Sequence, residues 1–178
     1  FIDSTPESIL SRLVGANALG DINLFMAVPT VYARLIEAYH KLPKKEQEKV
    51  YTSCQNMRLM VSGSAALPTG VMKEWERISG HTLLERYGMT EFCMALSNPL
   101  TPVEERHPGC VGLPLPSVEV RICGTSNPSD VAEVSPGTSG ELRVKGKGVF
   151  KIYHNRPEET ESAFDDEGYF MTGDIARY

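Results

Sequence analysis

Apolar residues recur along this chain in two rhythms, and the rhythm changes past its middle. In the first part, short apolar runs at Ile22–Val28, Met57–Val61 and Thr82–Leu84 have the length and composition of buried strands. Between them lie stretches of helical spacing. Ile9, Leu10, Leu13 and Val14 follow Ser4 or Thr5 as N-cap, with Pro6 in the first turn. Pro29 opens a second helix whose stripe is Val31, Leu35 and Tyr39, with Ala38 and Leu42 alongside. Pro68 opens a third, with Val71, Trp75 and Ile78 inward and Gly80 as its stop. The polar stretch Lys41–Lys49 reads as a solvated helix end or loop. Strands alternating with helices in this way predict βαβ units around a parallel sheet.

After Asn98-Pro99 the period falls to two. Val118, Val120 and Ile122 alternate with Glu119, Arg121 and Cys123, and Glu141–Lys145 repeats the pattern beyond a turn-rich connection at Asn127–Gly140. A short helix is expected over Pro157–Phe164, and a strand over Tyr169–Ile175, entered by a turn at Glu167-Gly168. The acidic run Asp165, Asp166 and Glu167 reads as part of a solvated turn. The fold class expected is α/β: a parallel α/β subdomain over residues 1–105, then a mostly antiparallel β-rich subdomain over 106–178. No internal repeat or low-complexity tract interrupts this plan.

Composition narrows the function classes. The chain has 178 residues, enough for a sizeable core, and a net charge of −5, which argues against a nucleic-acid or anionic-membrane surface. No apolar run approaches the roughly 20 residues of a membrane-spanning helix. Cys54, Cys93, Cys110 and Cys123 show no C-x-x-C spacing and pair with no histidine at zinc-ligand spacing, so free thiols in a reducing compartment are expected. Phe1 is not an initiator methionine, and Asp174–Tyr178 reads as a strand cut in mid-pattern. A fragment is therefore expected, with any targeting signal outside it.

One stretch concentrates candidate chemistry. Glu85-Arg86-Tyr87-Gly88-Met89-Thr90-Glu91 ends a buried strand and then offers an aromatic face, a hydroxyl and a carboxylate around a glycine that permits a turn or close approach. Polar groups at the end of a strand in an open α/β sheet are the usual location of a nucleotide site. Three further stretches flank it: Ser62-Gly63-Ser64-Ala65-Ala66-Leu67-Pro68, Gly140-Glu141-Leu142-Arg143-Val144-Lys145-Gly146 and Gly168-Tyr169-Phe170-Met171-Thr172-Gly173-Asp174. Together, in this order and spacing, the four resemble the adenylate-forming superfamily of acyl-CoA synthetases, luciferases and peptide-synthetase adenylation domains. The resemblance covers essentially the whole chain, as part of the superfamily's large N-terminal domain. Phe25–Thr30 and Gly80–Tyr87 are most similar to malonyl-CoA synthetases.

The resemblance implies an AMP-forming acid–CoA ligase using ATP, Mg²⁺ and CoA, with malonate or methylmalonate as the favoured acid. It assigns Tyr87 to stacking on adenine, with Gly63, Ser64 and Ala65 bordering the base and Gly88 and Met89 in the same nucleotide-binding turn. Thr90 would bond the α-phosphate, Glu91 would hold Mg²⁺, and Asp174 would accept both ribose hydroxyls. Each has a plainer alternative: Tyr87 as a core aromatic, Glu91 as a charge at a helix N-terminus, Asp174 as a turn aspartate closing on its own backbone.

Arg86 departs from relatives that take aryl or fatty acids, many of which carry glycine before the tyrosine. A guanidinium beside an acyl pocket needs a partner, and a diacid's second carboxylate would supply one. The alternative is a structural ion pair with Glu85 or Glu91. Gly146-Lys147-Gly148 lacks the ending of a phosphate loop and reads as a hairpin or strand-end turn, while Gly109, Gly112 and Pro114 read as loop-shaping residues. The superfamily's phosphate loop would precede Phe1, and its hinge and C-terminal domain with the catalytic lysine would follow Tyr178. The segment alone is thus expected to be inactive. The resemblance implies an intracellular protein, of the mitochondrial matrix or the cytoplasm. The rival functions are a medium- or long-chain fatty acyl-CoA synthetase, and a non-catalytic relative that binds nucleotide or a partner.

Overall fold

A computed structural model of the chain describes residues 4–19, 22–125 and 131–178. Part of the turn-rich connection expected over Asn127–Gly140 lies outside the described residues. Two compact units emerge: Phe1–Tyr87 with Leu96–Leu113, and Gly88–Ala95 with Pro114–Tyr178.

The first unit is built on the βαβ pattern. Strands β1 (Leu24–Ala27), β2 (Leu59–Ser62) and β3 (Leu84–Tyr87) run parallel in that order, and β4 (Leu96–Ser97) adds antiparallel to β3. β5 (Leu113–Pro114) follows β4 in the sheet order. Helices α1 (Pro6–Leu19), α2 (Pro29–Lys41), α3 (Lys44–Gln55) and α4 (Thr69–Ser79) supply most of the core. Alternation along β1 decides which face they cover. Phe25 and Ala27 pack on the core, whereas Leu24 and Met26, pointing the other way, are 37% and 56% exposed. At the centre of the core, Tyr32 meets Trp75 edge to face at 5.1 Å and donates its hydroxyl to the Val61 carbonyl at 2.9 Å. Burial drives the Tyr32 phenol pKa far up and pushes the Cys54 thiol up to about 12, so both stay neutral in the core.

The helix boundaries follow local chemistry. Thr5 Oγ1 accepts from the Ser8 amide at the start of α1, and Gly80, at φ 73°, closes α4 in the left-handed region. The expectation for Lys41–Lys49 is corrected: α3 begins at Lys44, inside that stretch. Only Val50 and Cys54 are fully buried along α3, too thin a stripe to stand out against its charges. Gln47 ends α2 by donating to the carbonyls of Tyr39 and Leu42.

Arg106 organises the loop after β4. It is 6% exposed, and its guanidinium donates to the carbonyls of Thr82 (2.6 Å), Leu100 (2.7 Å) and Pro99 (3.0 Å). Burial lowers its pKa. Asn98 adds to the same region, donating to the carbonyls of Glu85 and Cys110 and accepting from the His107 amide. Gly112, at φ 92°, passes so close to Ser97 that a Cβ would sit 2.0 Å from its carbonyl oxygen. These contacts hold residues 106–113 in the first unit.

In the second unit, β6 (Val118–Cys123), β7 (Gly140–Gly146) and β8 (Phe170–Ala176) form an antiparallel sheet in that order, with α5 (Pro157–Ser162) before β8. Phe92, Phe150, Phe164 and Phe170 cluster with centroid separations of 5.3–6.0 Å, which anchors the Gly88–Ala95 segment in this unit. Arg143 is fully buried and donates to Asp165 (3.0 Å) and Glu141 (3.2 Å). Asp165 in turn accepts from the amides of Glu167 and Tyr169. Its assignment to a solvated turn is therefore corrected: the residue is buried because Arg143 and two amides satisfy it.

Replacing Arg106 with Met strands three carbonyls without their donor, and should cost about 3 kcal/mol of stability in thermal or denaturant unfolding. Lys should recover less than half of that, because one ammonium cannot reproduce the guanidinium fork.

Candidate functional site

The first unit carries the residues expected around an adenine and the arginine expected to read an acid. β2 ends at Ser62, and Gly63–Ala66 form a loop before Leu67 buries and Pro68 caps α4. Ser64 takes φ 66°, and Ser64 and Ala65 are exposed. Gly63 lies against Arg86: a Cβ built on it would be 3.5 Å from Arg86 Cγ. Tyr87, the last residue of β3, is half-buried and pairs with Leu96. It stands outside the core, against its alternative as a core aromatic.

Glu85 is 2% exposed and faces the base of this loop. Its Oε1 accepts from the Leu67 amide at 2.9 Å, while Oε2 is buried without a partner among the described residues. The hydroxyl of Ser62, its register neighbour on β2, is in the same condition. Burial raises the Glu85 carboxyl pKa, and the Leu67 amide offsets part of that rise.

Arg86 makes no ion pair among the described residues. Its Nε is buried without an acceptor, and Nη2 reaches only the Met26 sulfur at 3.7 Å. Glu85 does not pair with it, because its carboxylate is turned to Leu67. The structure thus removes one of the two partners offered for Arg86 as a structural residue.

The second unit carries the remaining candidates. A Cβ on Gly88 would fall 1.8 Å from the Cys93 carbonyl oxygen, so only glycine allows the reversal over Gly88–Ala95. Thr90 and Glu91 lie in a turn closed by the Phe92 amide on the Met89 carbonyl. No helix begins there, which excludes the helix-dipole alternative for Glu91. Thr90 is exposed and Glu91 half-buried. The Tyr153 hydroxyl donates to Glu91 Oε1 at 3.0 Å, and the Phe150 amide donates to the Glu91 carbonyl at 2.6 Å. Asp174, exposed in β8, follows Gly173 at φ 74°. Thr172 Oγ1 takes the Asp174 amide and donates to the Leu142 carbonyl, so the threonine closes this turn.

A Mg²⁺ ion takes one or two carboxylates and completes its shell with phosphate oxygens and water. Glu91 offers one such carboxylate, half-buried and held at Oε1 by Tyr153; among the described residues no group of three or more His, Cys, Asp or Glu comes together. All four cysteines are free, as expected, and among the described residues no helix is long and apolar enough to cross a membrane. Sequence reasoning missed Tyr153, Asn98 and Arg106, and gave Glu85 no role of its own. Nothing in their spacing announces them, since each acts on backbone or side chains distant in sequence.

A parallel sheet in one unit and an antiparallel sheet with a Thr-Gly-Asp strand in the other define an α/β protein of the class expected from the sequence. Residues 6–154 match the AMP-binding enzyme family, and the chain belongs to it. It is 50% identical over 190 residues to the human protein "Malonate--CoA ligase ACSF3, mitochondrial", covering 96% of this chain and 32% of that protein. The ATP-bound crystal structure of MatB from Rhodopseudomonas palustris superposes with a TM-score of 0.79 at 38% identity, over 97% of this chain and 30% of that one. A malonyl-CoA ligase ternary product complex with methylmalonyl-CoA and AMP gives a TM-score of 0.78 at 33% identity, over 97% and 34%. The chain thus spans about a third of the length of these relatives.

Glu85 yields a pH prediction. Its folded pKa is raised, so the folded state holds the proton more tightly than the unfolded chain does. The destabilisation is absent below the unfolded value, about 4.3, and grows as pH rises through the folded one. Glu85→Gln should therefore melt about 2–4 °C above the parent at pH 7.5, with the gap closing toward pH 4. A Gln variant that melts lower at pH 7.5 would mean that the ionised Leu67 bond outweighs desolvation.

Proposed function

We propose that this chain is part of an ATP-dependent acid–CoA ligase that activates malonate, and also methylmalonate, as the acyl-AMP and then transfers the acyl group to CoA. The observation that carries the choice of acid is the Arg86 guanidinium, half-buried and without an ion-pair partner among the described residues. Its Nε is a buried donor left without an acceptor, and a diacid's distal carboxylate satisfies the guanidinium in bidentate fashion. The malonate-ligase names of the similar proteins support the same acid.

Each remaining residue has a task in that chemistry. Tyr87 stacks on the adenine, bordered by Gly63, Ser64 and Ala65, with Gly88 and Met89 shaping the turn toward the phosphates. Thr90 bonds the α-phosphate through its exposed hydroxyl, and Asp174 accepts the ribose hydroxyls. Glu91 holds Mg²⁺, which when bound neutralises charge on the phosphates as pyrophosphate departs. The protein's own part is positioning, in which Arg86 anchors the acid's distal carboxylate. The name of the human relative favours a mitochondrial location.

The test uses the full-length protein and a panel of acetate, malonate, methylmalonate and octanoate, following pyrophosphate release and CoA-thioester formation separately. The parent should prefer malonate. Arg86→Gly should lower kcat/KM for malonate relative to acetate by about 100-fold, the effect of truncating one partner of a buried charge pair. An unchanged malonate-over-acetate ratio would assign Arg86 to structure and withdraw the choice of acid.

A further inference from the structure

Glu91 is held more firmly than a metal-binding turn residue needs for its backbone alone. Its carbonyl accepts from the Phe150 amide at 2.6 Å, and its carboxylate accepts from the Tyr153 hydroxyl at 3.0 Å. Tyr153 is itself fixed at both ends. Its ring packs on Phe150 with centroids 4.4 Å apart, and its amide donates to Thr160 Oγ1 at 2.9 Å. Thr160 Oγ1 donates in turn to the Arg156 carbonyl, which ties the group to α5.

We infer that Tyr153 is a positioning residue for Glu91: its hydroxyl pins Oε1, sets the plane of the carboxylate, and leaves Oε2 to a divalent cation. This rests on the assignment of Glu91 to Mg²⁺ made above. The chemistry of the donor favours it. An orienting group on a metal-binding carboxylate works best when neutral, because a Lys or Arg there would compete with the ion for the same charge. A phenol donates without doing so. A carboxylate free to rotate would have to be ordered each time the ion arrives, and losing such outer partners typically weakens metal affinity 10–100-fold.

The test uses the full-length protein with Tyr153→Phe, which keeps the ring on Phe150 and removes only the hydroxyl. Mn²⁺ serves as the probe, its affinity read by electron paramagnetic resonance in the presence of a non-hydrolysable ATP analogue. The expected result is at least 10-fold weaker Mn²⁺ binding and a raised KM for Mg²⁺. The melting temperature and the metal-free affinity for the analogue should be unchanged. Para-aminophenylalanine at 153 returns a donor at the same reach and should restore Mn²⁺ affinity to within a few-fold of the parent. Glu91→Gln separates the two assignments. If it weakens Mn²⁺ binding while Tyr153→Phe does not, Tyr153 is a structural tie and the inference fails. If Glu91→Gln leaves Mn²⁺ binding intact, the metal assignment fails, and the role of Tyr153 with it.

Discussion

Gly88 sets the constraint on which the candidate residues depend. The chain must leave a buried parallel strand at Tyr87 and return to pair beside it at Leu96. In between, its backbone comes so near Cys93 that no side chain fits at residue 88. An alanine there would have to open the reversal, because the atom it meets is backbone carbonyl rather than a flexible side-chain end. Tyr87 is fixed on one side of that point as the last residue of a strand. Thr90 and Glu91 are fixed on the other, in a turn whose Glu91 is held by Phe150 and Tyr153. The reversal after Tyr87 thus follows a backbone path that only glycine allows at residue 88.

Buried cations offer a second organising theme. Arg106 is satisfied by three carbonyls, and Arg143 by Asp165 and Glu141. In both places the chain supplies the partners from within the same unit, as expected where an unpaired buried charge would cost several kcal/mol. Arg86 breaks the habit: its Nε is buried without an acceptor, and a methionine sulfur is a poor substitute for one. Exceptions to full satisfaction call for an explanation, and the distal carboxylate of the proposed diacid would supply one.

Much of this was legible in the sequence. The change of rhythm near residue 100 marked the passage from parallel to antiparallel pairing, because side-chain period follows directly from which faces are buried. Pro29 and Pro68 marked helix starts, and Gly80 a helix end. What stayed illegible depends on contacts distant in sequence. The stretch holding the start of α3 looks like a charged loop because only Val50 and Cys54 bury completely. Asp165 looks like a surface acid until Arg143, 22 residues earlier, is seen beside it. Tyr153 is 62 residues from Glu91, and no local pattern encodes such a bond. The motif residues were found by their spacing; the groups that hold them were not.

Strand alternation explains why Glu85 and Arg86, adjacent and oppositely charged, do not neutralise each other. Successive side chains on a strand point to opposite faces. Glu85 shares its face with Ser62 and turns to the Leu67 amide at the base of the Gly63–Ala66 loop. Arg86 lies on the other face, beside Met26 and Gly63. The pleat therefore holds two adjacent charges on opposite faces of the sheet. One consequence is a carboxylate whose burial is only half compensated, tied to the loop expected to border adenine. The other is a guanidinium directed away from every acid on its own strand. An arginine next to a glutamate on a β-strand is kept from its nearest acid by geometry alone, which leaves Arg86 available for the role proposed for it.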